Sequence, residues 1–312
     1  MENAPLVSVV VVTYNSSATV IETLESIKNQ TYRNIELIVS DDCSKDDTID
    51  VARQWLKEND SRFVGTELVT AEHNTGVSGN LNRGIQKSHG EWIKSIAGDD
   101  LLISFAIDDY VNYVINSPER VEMCVCDVKP FATDGELPEY ILDVYKNYFK
   151  YECESYEMQR KRVMTRLVFL GPTFFFHRDL YDEIAGFSEE YGNTEEWPFV
   201  YKVLKNGNRI FPIRKQLVLY RINQSSLCRM KEKNGLGNEQ YFQSTYKFFF
   251  DYPFNDLLKE CRYMTAWHYY ILYRTQRLRY SMNNNVFSRI LQKIIKCFDP
   301  YVYAKRVNLI ES

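Results

Sequence analysis

The sequence lacks any hydrophobic run long enough to cross a membrane. A transmembrane helix needs about 20 predominantly apolar residues, whereas the apolar run Val7–Val12 already breaks at Thr13-Tyr14-Asn15. The start of the chain is acidic and contains proline, unlike the basic flank and longer apolar region of a signal peptide. We therefore expect a soluble, cytoplasmic protein.

A strong charge of either sign is also missing. The 38 Lys and Arg residues against 42 Asp and Glu give a formal net charge of −4, which removes the electrostatic argument for a nucleic-acid binder. The seven cysteines are scattered, and Cys124-Val125-Cys126 has neither the two-residue gap nor the distant partner pair of a zinc site. We expect reduced thiols that pack as small hydrophobic side chains.

Two common phosphate-binding fingerprints are absent from the chain. Neither Gly-x-x-x-x-Gly-Lys nor Gly-x-Gly-x-x-Gly occurs, and these glycine-rich loops hold phosphate in many NTPases and dinucleotide-binding enzymes. If the protein binds a diphosphate, a metal ion therefore has to hold most of it.

Hydrophobic patterning in the first hundred residues alternates between strand-like runs and helical spacing. The runs predicted as strands are Leu6–Val12, Ile35–Val39, Leu68–Ala71 and Glu91–Ile96. This alternation predicts an α/β fold with a doubly wound, mostly parallel sheet. Later elements are strands at Val121–Val128 and Ile210–Tyr220, a helix at Trp197–Lys205, and helices rich in Tyr, Phe and Arg from about residue 238.

Three of the predicted strands end in polar or acidic clusters, namely Thr13-Tyr14-Asn15, Asp41-Asp42 and Asp99-Asp100. Ligands of such sheets bind at the carboxyl ends of the strands, so we expect the clusters to meet in one crevice. Paired carboxylates suit Mg²⁺ or Mn²⁺ bound together with the phosphate oxygens of a substrate. The alternative is that each acidic pair only begins a loop.

The same segments resemble family 2 glycosyltransferases of GT-A fold, in order and spacing, over residues 6–225. The resembling segments are Val7–Asn15 for the opening strand, Ser26–Tyr32 for the first helix, Ile38–Asp46 for the Val-Asp-Asp-x-Ser-x-Asp segment, and Asn74–Ser78 with Asn82–Gly84 for the Asn-x-Gly loop. Gly98-Asp99-Asp100 stands where the family carries its Asp-x-Asp metal motif. The chain departs from the family pattern at Ala97, Leu81 and Asn223, which replace an acid, a basic residue and a histidine.

The resemblance implies a nucleotide site and a UDP-sugar donor. The residues expected to hold the base are Thr13, Tyr14, Asn15 and Asp42, and those expected to line the passage for ribose and diphosphate are Asn74, Gly76 and Asn82. A carboxylate acceptor such as Asp42 suits the N3–H of uracil or thymine and fits a purine poorly.

The resemblance also implies a metal cofactor and a catalytic base. Asp99 is expected to reach Mn²⁺ or Mg²⁺ between the two phosphates, and Asp100 to be either a further metal contact or a helix-capping acid. Thr194-Glu195-Glu196-Trp197 resembles the family's acidic segment, whose second acid is the general base of an inverting transfer. The expected catalytic acids are therefore Glu196 and Glu195. Alternatively, both glutamates only begin the following helix, where the helix dipole favours acids.

The predicted domains are 1–225, which binds the nucleotide sugar and carries catalysis, and 226–312, a loop followed by a helical, basic and aromatic extension. Ser225–Gly237 is interpreted either as a lid over the donor or as an ordinary surface loop. Basic and aromatic residues from Tyr273 onward suit an anionic membrane surface, or a helix packed on the core with its basic face in water.

The expected function is an inverting, metal-dependent transfer of a hexose or acetamidohexose from a UDP-sugar to a sugar hydroxyl. By resemblance, the acceptor is a glycan on a polyprenyl diphosphate for surface polysaccharide, and the enzyme is peripheral on the inner face of the membrane. One alternative is a non-catalytic nucleotide-sugar-binding protein. Another is a sugar nucleotidylyltransferase, but the glycine-rich basic loop of that class is missing from Thr13–Thr19.

Overall fold

The computed structural model describes residues 4–133, 155–165, 169–192, 194–222 and 239–281, together with a few single positions between and beyond these ranges. The chain divides into two compact units. The first unit comprises residues 1–163 and 167–223, and the second comprises residues 164–166 and 224–312.

The first unit is built on one mixed β-sheet. Its described strands are β1 Val7–Thr13, β2 Ile35–Asp41, β3 Gly65–Thr70, β4 Trp92–Ala97, β5 Leu101–Leu102, β6 Met123–Phe131, β7 Phe175–His177 and β8 Phe211–Arg221. Their order in the sheet is β3-β2-β1-β4-β7-β6-β8-β5. The first four strands in this order are parallel, as are β6 and β8, whereas β7 runs antiparallel to both β4 and β6.

Helices connect the parallel strands and follow the sheet. The described helices of the first unit are α1 Val20–Lys28, α2 Thr48–Asn59, α3 Gly76–Gln86, α4 Ala106–Asn116, α5 Tyr156–Val163, α6 Arg178–Glu183 and α7 Glu196–Lys205. Those of the second unit are α8 Glu239–Asp251, α9 Pro253–Lys259 and α10 Tyr263–Ser281. The predicted α/β fold with a mostly parallel sheet and C-terminal helices is confirmed.

The central strands are covered on both faces, as their continuous apolar runs predict. Every residue of β2 is buried, and in β1 only Val12 is partly exposed. Beside them, the ring of Phe175 on β7 stacks between Trp92 and Tyr110, with centroid distances of 5.0 Å and 4.8 Å. The strand register places Thr13 beside Asp41 and Val12 beside Ala97 at the carboxyl edge of the sheet.

The sequence prediction was wrong about the start of helix α2 and gave no direction for strand β7. Helix α2 begins at Thr48 rather than near Ser44, because the Asp46 carboxylate accepts hydrogen bonds from the backbone N–H groups of Ser17 and Thr48 and keeps the preceding residues in a loop. The antiparallel direction of β7 was not predicted, since the apolar run before His177 carries no signal of strand direction.

The second unit is held together by aromatic side chains. Phe249 of α8 stacks on Tyr273 of α10 at 4.6 Å, and Phe242 and Tyr246 pack around the same ring. Among the described helices, none is long and apolar enough to cross a membrane. The predicted lid, Ser225–Gly237, and the basic aromatic tail beyond Ser281, apart from a few single positions, lie outside the described residues.

Gly90 is expected to be required because the segment that leads into β4 passes close to the start of β1. A Cβ at this position would lie 2.4 Å from Ser8 Oγ and 2.6 Å from the Ser8 backbone nitrogen. Gly90→Ala should therefore lower the free energy of unfolding by about 1–3 kcal/mol in urea titrations. The control is Gly65→Ala, whose Cβ meets nothing within 4 Å. Equal unfolding midpoints for the two variants would contradict the prediction.

Candidate active site

The carboxyl ends of β1, β2 and β4 meet at one edge of the sheet. Thr13 Oγ1 donates a hydrogen bond to Asp41 Oδ2 at 2.7 Å, and the Asp42 N–H donates to the Thr13 carbonyl at 3.0 Å. The Gly98 N–H donates to the Val12 carbonyl at 2.9 Å. The three polar clusters that follow these strands therefore lie side by side, in the arrangement that their positions at strand ends predict.

Asp42 is the most heavily bonded acid of this edge. Its carboxylate, in a residue only 2% exposed, accepts hydrogen bonds from the backbone and hydroxyl of Thr75 and from the Gly76 N–H at 2.7–3.0 Å. Arg83 completes the set with an ion pair at 3.0 Å. Asp42 thus caps the N-terminus of α3, where a negative charge is favoured by the helix dipole. Its contact with a uracil N–H stays a prediction.

Tyr14 and Asn15 lie on the loop that follows β1. The Tyr14 residue is 49% exposed, so its ring is open to a ligand. Asn15 has a φ of 52°, a conformation that asparagine tolerates better than most residues. Its side-chain oxygen accepts from the Lys45 N–H at 2.8 Å, and its own N–H donates to Ser44 Oγ at 2.8 Å. Asn15 therefore joins the two loops on which the predicted base-binding residues lie.

The remaining predicted nucleotide residues lie on and before α3. Asn74 is exposed, and its side chain accepts from the Gly76 N–H at 3.1 Å; Gly76 has a φ of 79°, which favours glycine. The Asn82 amide bonds both backbone groups of Phe187 and the side chains of Tyr181 and Glu189, at 2.8–3.0 Å. Asn82 therefore holds the loop after α6 against α3.

Asp99 and Asp100 are organised by Arg221 at the end of β8. The Arg221 backbone N–H donates to Asp100 Oδ1 at 2.8 Å, and its Nε donates to the Asp99 carbonyl at 2.6 Å. Its guanidinium also pairs with Glu22 at 2.6 Å. Burial raises the pKa of both aspartates, and the charge of Asp99 raises the pKa of Asp100 further.

The donor set at this edge fits one class of metal ion. Within the described ranges, no group of three or more His, Cys, Asp or Glu side chains is arranged to hold a metal ion. Mg²⁺ and Mn²⁺ commonly bind one or two carboxylates together with phosphate oxygens of a substrate. Asp99 and Asp100 supply that number, and a cation beside them would relieve their mutual repulsion. The residues present therefore fit a hard cation shared with a diphosphate, rather than an all-protein cage.

Glu195 and Glu196 begin helix α7, with Glu195 at the N-cap position. Glu196 Oε1 accepts a hydrogen bond from the Gly171 N–H at 2.6 Å. Burial raises the pKa of Glu196 to about 8, with a further contribution from the charge of Glu195 and a smaller one from Asp100. Burial also raises the pKa of Glu195. A carboxyl group with such a pKa is suited to accept a proton near neutral pH.

The sequence profile of the family described as Glycosyl transferase family 2 matches residues 8–185. This chain belongs to that family. A Campylobacter jejuni protein described as GalNAc(5)-diNAcBac-PP-undecaprenol beta-1,3-glucosyltransferase is 29% identical over 234 residues, which cover 74% of this chain and 69% of that protein. The predicted family membership is confirmed, and with it glycosyltransferase activity as the general function.

Two solved glycosyltransferases share the fold at low sequence identity. S. aureus TarS 1–349 in complex with UDP-GlcNAc is 17% identical with a TM-score of 0.63, and the likeness covers 93% of this chain and 79% of that one. Mannosyltransferase PcManGT from Pyrobaculum calidifontis, in complex with GDP-Man and Mn²⁺, is 20% identical with a TM-score of 0.56, covering 82% of this chain and 65% of that one. The fold of this family 2 glycosyltransferase is accordingly the predicted GT-A fold.

Several residues that shape the site of this family 2 glycosyltransferase were not found by the sequence analysis. Leu81, at the position where a basic residue was expected, is buried, and Arg83 brings a guanidinium to Asp42 from the same helix. Asn80 donates to the Thr13 carbonyl at 3.1 Å and accepts from Arg83 at 3.0 Å. Only the helical spacing of residues 80 and 83, which puts both on one face, could have indicated this pair.

Asp42→Asn is expected to affect stability and nucleotide binding together. Losing the charge leaves Arg83 and the α3 N-terminus without their acceptor, which should cost about 3 kcal/mol of unfolding free energy. The affinity for UDP should fall in parallel, as measured by titration calorimetry. The control is Asp50→Asn, since Asp50 is an exposed acid paired with Arg53, and it should change neither quantity appreciably. Weaker UDP binding at unchanged stability would instead indicate a direct contact with the base.

Proposed function

We propose that this chain is an inverting glycosyltransferase that moves a hexose or acetamidohexose from a UDP-sugar to a sugar hydroxyl. The observation that carries the proposal is Glu196, a partly buried carboxyl group with a pKa raised to about 8. Its pKa responds to the charge of Asp100, the acid next to Asp99. A proton acceptor and a candidate cation site are thus near enough for their charges to interact, and a transfer from a diphosphate donor uses both a base and a positive charge at the leaving group.

In the proposed reaction, Glu196 accepts the proton of the acceptor hydroxyl as its oxygen attacks the anomeric carbon of the donor. The bond between that carbon and the diphosphate oxygen breaks, and UDP leaves on the opposite face, so the configuration inverts. The hydrogen bond from the Gly171 N–H orients the Glu196 carboxylate. Glu195, adjacent in sequence, contributes a charge that favours proton uptake by Glu196.

Asp99, with Asp100 beside it, holds Mn²⁺ or Mg²⁺ in this proposal. When bound, a divalent cation supplies positive charge to the departing diphosphate. Arg221 fixes the backbone of Asp99 and one carboxylate oxygen of Asp100, and in this proposal the Asp99 side chain is the principal ligand from the protein. The Mn²⁺ in the PcManGT structure supports a divalent cation at a site of this fold.

A uridine nucleotide is the proposed carrier of the sugar. The exposed Tyr14 ring offers a surface for a base, and Thr13, Asn15 and Asp42 lie around the loops that bear it. The UDP-GlcNAc in the TarS complex supports the same carrier. Asn74, Gly76 and Asn82 are proposed to border the ribose and diphosphate through the loop and helix that they shape.

The proposed acceptor is a glycan linked to a polyprenyl diphosphate for surface polysaccharide, with residues 1–225 carrying catalysis. The Campylobacter jejuni relative is named for an undecaprenol-linked glycan, which supports this class of acceptor. An acceptor anchored in a membrane suits a cytoplasmic enzyme that is peripheral on the inner face. Tyr263, Met264 and Trp267 in the extension 226–312 are exposed apolar or aromatic side chains, of the kind that insert at a membrane interface.

Release of UDP from a panel of UDP-sugars tests the proposed transfer. One donor should release UDP in the presence of Mn²⁺ or Mg²⁺, and EDTA should abolish the release. Glu196→Gln and Asp99→Ala should lower the rate at least about 100-fold. The matched control is Glu183→Gln, because Glu183 is an exposed acid of the same unit that bonds only Asn206 among the described contacts.

The possible results separate the alternatives. Binding of UDP without release from any donor, even with lipid-linked acceptors present, would indicate a nucleotide-sugar-binding protein. Release of UDP that is unaffected by EDTA would refute the metal dependence. Full activity of Glu196→Gln would refute the role of Glu196 as the base.

The raised pKa of Glu196 predicts how the rate depends on pH. Only the carboxylate accepts a proton, and a raised pKa keeps the group protonated over a wider range at low pH. The value of kcat/KM should therefore rise about tenfold per pH unit below a midpoint near 8 and level off above it. A midpoint near the ordinary value of 4.5 would contradict this assignment. Glu196→Asp should keep a rising limb and Glu196→Gln should lose it.

A further inference from the structure

Lys94 lies in the middle of the sheet, on β4, and is fully buried. Its Nζ donates hydrogen bonds to the carbonyls of Ser95 and Pro172, both at 2.6 Å, and lies 5.8 Å from the centroid of the Tyr110 ring. Pro172 is the middle residue of the helical turn Gly171–Thr173. A lysine of the central sheet therefore reaches across to a turn that precedes β7.

The presence of a charged ammonium group inside the protein core calls for a physical explanation. Burial penalises its charge and lowers the pKa of Lys94 to about 8, and a methionine of similar shape would fill the space without that penalty. The titratable groups that face Lys94 are Cys124, Cys126 and Asp100. The hydrogen bonds described for the Lys94 Nζ go to carbonyl oxygens. We therefore look for the role of Lys94 in the backbone that these bonds hold in place, rather than in an ion pair with a carboxylate.

The turn that Lys94 contacts is held from the core side. The Tyr110 hydroxyl donates to the Thr173 carbonyl at 2.9 Å, next to the Pro172 carbonyl that Lys94 holds. The Phe174 N–H donates to the Gly171 carbonyl at 3.0 Å. With its three carbonyls bonded in this way, the turn has a fixed orientation, which also fixes the direction of its first N–H group.

That N–H group belongs to Gly171 and donates to Glu196 Oε1 at 2.6 Å. A Cβ at position 171 would lie 2.9 Å from the same oxygen and 3.1 Å from Glu196 Cγ. Gly171 is not among the residues with a positive φ, so the backbone itself does not require glycine. Glycine is required at position 171 because the Glu196 side chain approaches so closely.

We propose that Lys94 is a positioning residue for Glu196: by holding the Pro172 carbonyl, it fixes the Gly171 N–H against the Glu196 carboxylate. The inference rests on the proposed function, in which Glu196 is the base. The other charged groups that face Glu196 are Glu195 and Asp100, and neither of them holds the turn. Lys94 itself contacts no reacting atom.

Lys94→Met tests the proposal with a spectroscopic readout that is independent of activity. In protein labelled with ¹⁵N-glycine, the 13 glycines give a small amide spectrum, and the Gly171 peak is the one that Gly171→Ala removes. The Gly171 amide proton should resonate downfield in the wild type and move upfield in Glu196→Gln. In Lys94→Met it should move upfield as well, and its hydrogen exchange should accelerate at least about tenfold.

The kinetic readout separates positioning from binding. In Lys94→Met, kcat should fall about 10- to 100-fold because the base is misplaced, whereas KM for the nucleotide sugar should stay within about twofold. Gly171→Ala should fold normally, since only the flexible Glu196 side chain has to move, and should show the same split. The matched control is Lys202→Met, because Lys202 also donates to backbone carbonyls, those of Ala185 and Gly186, and should leave kcat unchanged.

Each outcome decides for or against the proposal. A Gly171 amide that is unchanged in Lys94→Met overturns it, as does a fall in kcat that only follows the loss of folded protein. If Lys94→Met does not fold, Lys94→Gln replaces it with the same expectations, because the polar glutamine side chain is too short to bring its N–H donor to the Pro172 carbonyl. Absence of turnover in the wild type, with a Gly171 amide that responds to Lys94→Met, would refute the proposed function while the positioning contact stands.

Discussion

The Asp42 carboxylate accepts hydrogen bonds from Thr75 and Gly76 and forms an ion pair with Arg83. The residues proposed to bind the nucleotide depend on this interaction for their positions. A buried acid without these donors would be expelled or protonated. With them, the end of β2 is tied to the start of α3, and Arg83 reaches Asn80, which bonds the end of β1. One negative charge thus positions three segments that carry residues proposed to bind the donor.

The fold follows from short stretches of sequence because its signals are local. The β-branched run in β1 and the apolar run in β2 predict strands covered on both faces, and burial confirms this. Strand ends are marked by Thr13, Asp41 and Asp99, whose polar side chains stop each run. Because parallel strands present the same end to one edge, the meeting of these residues follows from topology alone.

The contacts that orient the site could not be predicted in this way because they join distant parts of the chain. Lys94 interrupts an apolar strand, and a lysine in such a run is usually expected at a solvated position; its carbonyl partner is 78 residues away. Arg221 and Asp100 are separated by 121 residues. The antiparallel direction of β7, which brings Gly171 beside Glu196, depends on packing against β4 and β6 rather than on local pattern.

Strand β7 divides the sheet into two halves of different origin along the chain. The parallel half β3-β2-β1-β4 bears the residues assigned to the nucleotide, whereas Glu196 and Gly171 come from the segment after β6. The hydrogen bonds that join the two halves include those between Lys94 and Pro172 and between Asp100 and Arg221. A chimaera of two family members joined after β4 would therefore need to preserve those pairs, which makes the exchange of sheet halves between relatives a problem of matching a small number of contacts.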